Sequence, residues 1–305
     1  MADARYLTPL AEELADDVLE RFLRYVQIDT QSDSDSETYP STAKQLELAK
    51  VLADDLRAAG LEDVELMEHG YVFATLPGSG GPTVGLIAHM DTSSDESGAG
   101  VKPQIVRDYD GGDIVLPGDQ RKVLRADENP LLAERKGHDI VTTDGTTLLG
   151  ADDKAGVAEI VAAVAYLAAH PEIEHAPIRV GFTVDEEVGR GVERFDIDQF
   201  GADFAYTLDG SELGRIDDET FSASEVRIHI EGLSVHPGTS KGKMVNAIKL
   251  GARIIDRLPA DSRSPETTEG RDGFVHPTRF TGTTAEAELR FIARDFDAKK
   301  LEEHE

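Results

Sequence analysis

Ile178-Arg-Val-Gly-Phe-Thr-Val184 is a short apolar run, and it ends in Asp185-Glu186-Glu187. An apolar run of this length, bounded by polar residues, predicts a buried strand. Carboxylates just past its end add a functional reading, because ligands in open α/β sheets bind beyond the carboxyl ends of the strands. Of two adjacent carboxylates, one can hold a metal ion while the other handles a proton of water. The tripeptide alone is weak. With 60 acidic residues among 305, a run of three arises by chance about two or three times.

Three other clusters lie at, or just beyond, apolar strand ends: Ala88-His-Met-Asp91, Gly150-Ala-Asp-Asp-Lys-Ala-Gly156 and Tyr206-Thr-Leu-Asp-Gly210. Each also has an ordinary reading. His89 and Asp91 suit a surface turn, Asp152 suits a helix N-terminus, and Asp209-Gly210 suits a tight turn. Taken together they offer one imidazole and several carboxylates, a donor set for a pair of divalent ions. If the chain is extended there, His89 and Asp91 share one face.

The surrounding pattern predicts an α/β fold. Thr8-Pro9 caps a helix running to about Gln27, and a second helix is expected from Ser41 to Ala59, with Gly60 as its stop. Strands are predicted at 64–67, 72–75, 84–88, 178–184 and 205–208, the last two as buried strands, with a helix over 155–170. Residues 92–139 read as long loops with short strands. A mixed, mostly parallel sheet covered by helices follows from this alternation. After about Thr220 the pattern changes to alternating strands at 225–231 and 285–294 around a helix at 245–258. That marks a smaller α+β domain, so the expected division is 1–217 and 218–305.

Composition narrows the function classes. The chain has no cysteine, which excludes disulfides, thiolate ligands and a cysteine nucleophile. Its net charge is −29, the acidity is dispersed, and Arg outnumbers Lys by 20 to 11. No basic patch is present to neutralise phosphates, so nucleic acid is not an expected partner. Dispersed acidity with few lysines suits a salt-rich, halophilic cytoplasm. The longest apolar stretch, 160–169, is too short to span a bilayer, and no leader is read at the N-terminus.

The chain resembles the peptidase T family, the tripeptide aminopeptidase branch of the aminoacylase/carboxypeptidase-like zinc peptidases. Pro40-Ser-Thr42, His89-Met-Asp-Thr-Ser93, Lys102-Pro-Gln-Ile-Val106, Leu148-Leu-Gly-Ala-Asp-Asp-Lys-Ala-Gly156, Asp185-Glu-Glu-Val-Gly189, Val235-His-Pro-Gly-Thr239 and Pro265-Glu-Thr-Thr-Glu-Gly270 carry it. The resemblance implies a zinc-peptidase domain with a lid of dimerisation type, a candidate homodimer surface, inserted into it. It implies two zinc ions, or cobalt or manganese, bridged by Asp152, with His89 and Asp209 on one and Glu187 on the other. Glu186 would be the general base, Asp91 the partner of His89, and His236 a lid donor to the oxyanion. Asn246 and Arg294 would grip the carboxylate of a small peptide.

One family feature has no counterpart. A histidine near the family's C-terminus completes the second ion's ligands, and neither His276 nor His304 lies in a similar motif. The expectation is a truncated chain with an under-coordinated ion and an exposed sheet edge. Related dipeptidase or N-acyl-amino-acid amidohydrolase activity, or a non-catalytic relative, are the alternatives.

Overall fold

The computed structural model describes residues 5–210, 213–259 and 261–304. Thr8 accepts a hydrogen bond from the Ala11 amide (3.0 Å) and starts α1 (Pro9–Tyr25), with proline in the first turn where its missing N–H costs nothing. The second helix, α2 (Gln45–Ala58), begins four residues later than its periodicity predicts. Ser41 is engaged elsewhere, its amide and hydroxyl both donating to Asp185. Gln45, Leu48, Ala49, Leu52, Ala53 and Leu56 form the buried stripe of α2.

Then come β1 (Glu62–Leu66), β2 (Val72–Leu76) and β3 (Val84–His89). The stretch read as loops contains β4 (Gln104–Val106), β5 (Ile114–Val115), β6 (Val123–Leu124), α3 (Pro130–Ala133) and β7 (Ile140–Thr142). Tyr109, Ile114 and Leu116 give this excursion its own small core. It is followed by α4 (Ala151–Ala169), β8 (Ile178–Thr183), α5 (Ile197–Phe200) and β9 (Phe204–Thr207). Helices α1 and α4 pack together, and α4 packs on β3.

The main sheet is mixed, in the order β1-β2-β8-β3-β9. The β3–β8 and β3–β9 pairs are parallel, whereas β1–β2 and β2–β8 are antiparallel. Val72, Ala88, Val180 and Phe182 are fully buried between sheet and helices. Phe200 packs on the face lined by Gly85 and Gly181, where an added Cβ would come within 2.7 and 2.9 Å of its ring. The expected burial of β9 is wrong. All four of its residues are exposed, because it pairs only with β3 and forms the sheet edge.

Two compact units result, one through Leu213 and one from Gly214. The second contains β10 (Ser222–Glu231), a single 3₁₀ turn (Pro237–Thr239), α6 (Ala247–Ile255), β11 (Phe274–Gly282), β12 (Glu286–Asp295) and α7 (Ala298–His304). Its antiparallel sheet has the order β10-β12-β11. Residues alternate strictly along β12, and Ala287, Leu289, Phe291 and Ala293 make the buried face. Strand β11 escapes prediction because Pro277 interrupts it. The register shifts between Pro277 and Arg279, and a sheet edge tolerates a residue without an N–H. No helix among the described residues is long and apolar enough to cross a membrane.

Core and edge positions should respond differently to truncation. Phe182→Ala should lower unfolding free energy by about 3–5 kcal/mol in urea melts, as expected for a buried aromatic, and Tyr206→Ala by less than about 1 kcal/mol. Equal losses would contradict the assigned burial.

Candidate metal centre

His89 ends β3 and is 2% exposed. Parallel pairing sets it beside Thr183 at the end of β8, so the two chains leave the sheet at the same level. From β8 the chain turns at Asp185, whose φ is +60°. From β3 it continues through Met90 to Asp91, which is fully buried. The Asp91 carboxylate accepts the Glu186 amide at 3.0 Å and the Glu187 amide at 3.2 Å. The same residue orients the imidazole: His89 Nδ1 lies 3.1 Å from the Asp91 carbonyl and 3.4 Å from its Oδ1. One buried aspartate thus fixes both the ring and the acidic turn.

Around His89 Nε2 gather Asp152 Oδ1 at 2.9 Å, Glu186 Oε2 at 3.8 Å and Asp209 Oδ1 at 3.9 Å. Asp152 comes from the non-helical first turn of α4 and Asp209 from just beyond β9. Two donor groups, His89–Asp152–Glu187 and His89–Asp153–Asp209, each bring their ligand atoms within 4.8 Å of one another. A buried imidazole therefore forms the floor, with carboxylates above it partly open to solvent.

Charge crowding is visible in the proton affinities. Burial raises Glu187 to about 7, assisted by the Asp152 carboxylate, and raises Asp209 to about 6. Burial also lifts Asp153 to about 8. Asp152 is held low, first by its hydrogen bond with His89. Burial alone would lower His89, but hydrogen bonds to Asp152 and Asp91 outweigh it and push it up to about 11. Carboxylates driven to take up protons first by burial and then by neighbouring negative charge are a donor set matched to divalent cations. The residues present fit such ions.

Of the residues singled out from sequence, His89, Asp91, Asp152, Glu186, Glu187 and Asp209 converge here. His236, Asn246 and Arg294 belong to the second unit. His236 is exposed, and its Nδ1 accepts the Gly238 amide at 3.1 Å. Asn246 caps α6, its Oδ1 accepting from Lys249 N at 3.1 Å. Arg294 lies over Phe221, 4.4 Å from the ring centroid, and its Nε is buried without a partner. His304 contacts Asp295 Oδ2 at 3.1 Å. Sequence reading passed over Asp153, whose carboxylate accepts the His89 and Gly156 amides (each 3.2 Å), although the Asp152-Asp153 doublet was a signal for it. It gave no role to Ser41 or Lys154, although both lie in the quoted motifs, and passed over Gln45, which carried no such signal.

Residues 219–305 match the family model described as a peptidase dimerisation domain. Peptidase T of Geobacillus thermodenitrificans is 52% identical over 289 residues, covering 94% of this chain and 70% of the relative. A tripeptidase structure from Staphylococcus aureus matches with a TM-score of 0.63 and 25% identity, over 94% of this chain and 68% of that one. The YXEP protein of Bacillus subtilis, a dinuclear metal binding peptidase of the M20 family, shares the fold at 13% identity and a TM-score of 0.52. That match covers 96% of this chain and 67% of the other. With half of its residues shared across most of its length, the chain belongs to the peptidase T family.

Proposed function

We propose that the protein is a metal-dependent aminopeptidase that hydrolyses the N-terminal peptide bond of tripeptides. One observation carries the reading: Asp152, Glu186 and Asp209 all come within 4 Å of the buried His89 Nε2, and Glu187 joins His89 and Asp152 in one donor group. Asp152 would bridge two ions, with His89 and Asp209 on one and Glu187 on the other. Zinc, cobalt and manganese all suit this donor set. When bound, such ions polarise the scissile carbonyl and make water more acidic.

The protein's own groups do the rest. Glu186 is half-exposed beside the donor set, so it takes a proton from the attacking water and returns it to the leaving amine. Asp91 fixes the His89 tautomer by occupying Nδ1, leaving Nε2 for a ligand role. In His236 the Gly238 amide occupies Nδ1, which places the ring's proton on Nε2 as a donor for an oxyanion. Arg294 offers a planar fork for the peptide carboxylate and Asn246 a side-chain amide. The dimerisation-domain match supports assembly into a homodimer through the second unit. The net charge of −29 supports a salt-rich cytoplasm as the working environment.

Glu186→Gln should abolish tripeptide hydrolysis while bound metal stays unchanged by elemental analysis; full turnover in that variant would refute the proton role. Metal binding should also depend on pH. His89, Asp153, Glu187 and Asp209 have folded values raised above their ordinary ones, so their stabilisation is complete at low pH and is lost as pH rises through about 6 to 8 and beyond. Ions compete with those protons, so zinc should raise the melting temperature more at about pH 8 than at about pH 5. An equal gain at both would contradict the donor set. Activity should persist in molar salt, and a sharp optimum in dilute buffer would argue against salt adaptation.

A further inference from the structure

Asp185 is fully buried and holds a left-handed backbone, φ +60°. For a residue with a Cβ this costs about 1 kcal/mol and persists only where the surroundings over-determine it. The surroundings here are one short segment, 41–45. The Ser41 amide donates to Asp185 Oδ2 at 2.6 Å, and the Ser41 hydroxyl to Oδ1 at 2.5 Å. Gln45 Nε2 donates to Oδ1 at 2.7 Å, and Gln45 Oε1 accepts the Asp185 amide at 3.1 Å. The turn is closed by the Arg190 amide on the Asp185 carbonyl and the Gly189 amide on the Glu186 carbonyl. Gln45 lies on the core face of α2, where it is fully buried among leucines and alanines. A buried amide in that place needs partners, and Asp185 supplies both.

The next two amides in the chain are those that Asp91 accepts. Asp185 therefore determines where Glu186 and Glu187 enter the site. A second contact limits the side chain itself. An added Cβ at Gly191 would come 3.1–3.5 Å from Glu186 Cα, Cβ and Cγ, so the Gly191 backbone lies against the Glu186 stem.

We propose that Ser41 and Gln45 are positioning residues that act through Asp185 to fix the Glu186 carboxylate for proton transfer. The inference rests on the assignment of Glu186 as the base. Misplacement of such a group by about 1 Å costs on the order of 100-fold in rate, so loss of the clamp reads out in kcat. Substrate affinity, which depends on other residues, stays put.

Two measurements on the full chain test this. In ion-free protein, Gln45→Ala should speed hydrogen exchange at the Glu186 and Glu187 amides by about tenfold or more, with β3 and β8 amides within about twofold of the unsubstituted chain. In metal-loaded protein, Gln45→Ala should lower kcat about 10- to 100-fold with KM and bound metal unchanged, and Ser41→Ala, which keeps the Ser41 amide bond, should lower it less. Gly191→Ala should lower kcat as well, because it crowds the Glu186 Cα and the stem of its side chain. Unchanged exchange in Gln45→Ala overturns the inference, as does exchange that rises equally along β3 and β8, or activity lost only together with metal. The exchange arm needs no turnover. An unsubstituted chain that cleaves no peptide therefore refutes the catalytic reading separately.

Discussion

The parallel pairing of β3 with β8 is the constraint on which the site depends. It sets His89 beside Thr183, so that both chains leave the sheet together and their next residues share one small volume. Asp91 then joins the two exits, taking the imidazole on one side and the Glu186 and Glu187 amides on the other. Slipping the register by one residue would turn the opposite face of β3 toward the helices and remove the imidazole from the carboxylates. The fully buried Val180, Phe182 and Ala88 oppose such a slip, since each would lose its place in the core. Core packing and site geometry are thus one requirement, imposed by the same strands.

Much of this was legible from sequence, for a physical reason. Apolar runs ending in carboxylates locate strand ends, and parallel strands bring their ends together, so the clusters holding His89, Asp152, Glu187 and Asp209 could be grouped without coordinates, while the choice of these four as ligands came from the family resemblance. Helix α1 was readable because its cap and apolar spacing are local. What could not be read were contacts between distant segments. Gln45 looks like any polar position of an amphipathic helix until Asp185, 140 residues away, is seen to share its hydrogen bonds. The late start of α2 has the same origin. Pro277 hid β11 because a proline argues against a strand, and only the sheet order shows that the strand is at an edge. The apolar residues of 205–208 suggested burial by their chemistry, whereas the exposure of Tyr206 followed from the position of β9.

The electrostatics of the clamp follow from the purpose of the site. Several carboxylates crowd His89, and cations are needed to offset them. An arginine or lysine holding Asp185 would place fixed positive charge behind that cluster and weaken its affinity for divalent ions. Ser41 and Gln45 hold the same carboxylate with neutral donors only. The nearby lysine is restrained too. Burial lowers Lys154 to about 8, and its Nζ donates to the Ile28 carbonyl. The hydrogen bonds that Ser41 and Gln45 give Asp185 thus bring no charge of their own to the site.

The second unit shows the opposite choice. In a chain with net charge −29, a guanidinium finds a carboxylate easily, and on the same sheet Arg227 pairs with Glu225 and Arg290 with Glu288. Arg294 is built differently. It lies over Phe221 and 5.9 Å from the Phe274 centroid, with Nε buried and unpartnered. Ring stacking orients a guanidinium while leaving the edges of its fork open, which a lysine at the same position could not do. Pairing with a neighbouring glutamate would have satisfied the charge within the protein. Aromatic support instead steadies its flat faces against Phe221 and Phe274, so the same strand holds one guanidinium by charge and another by ring contact.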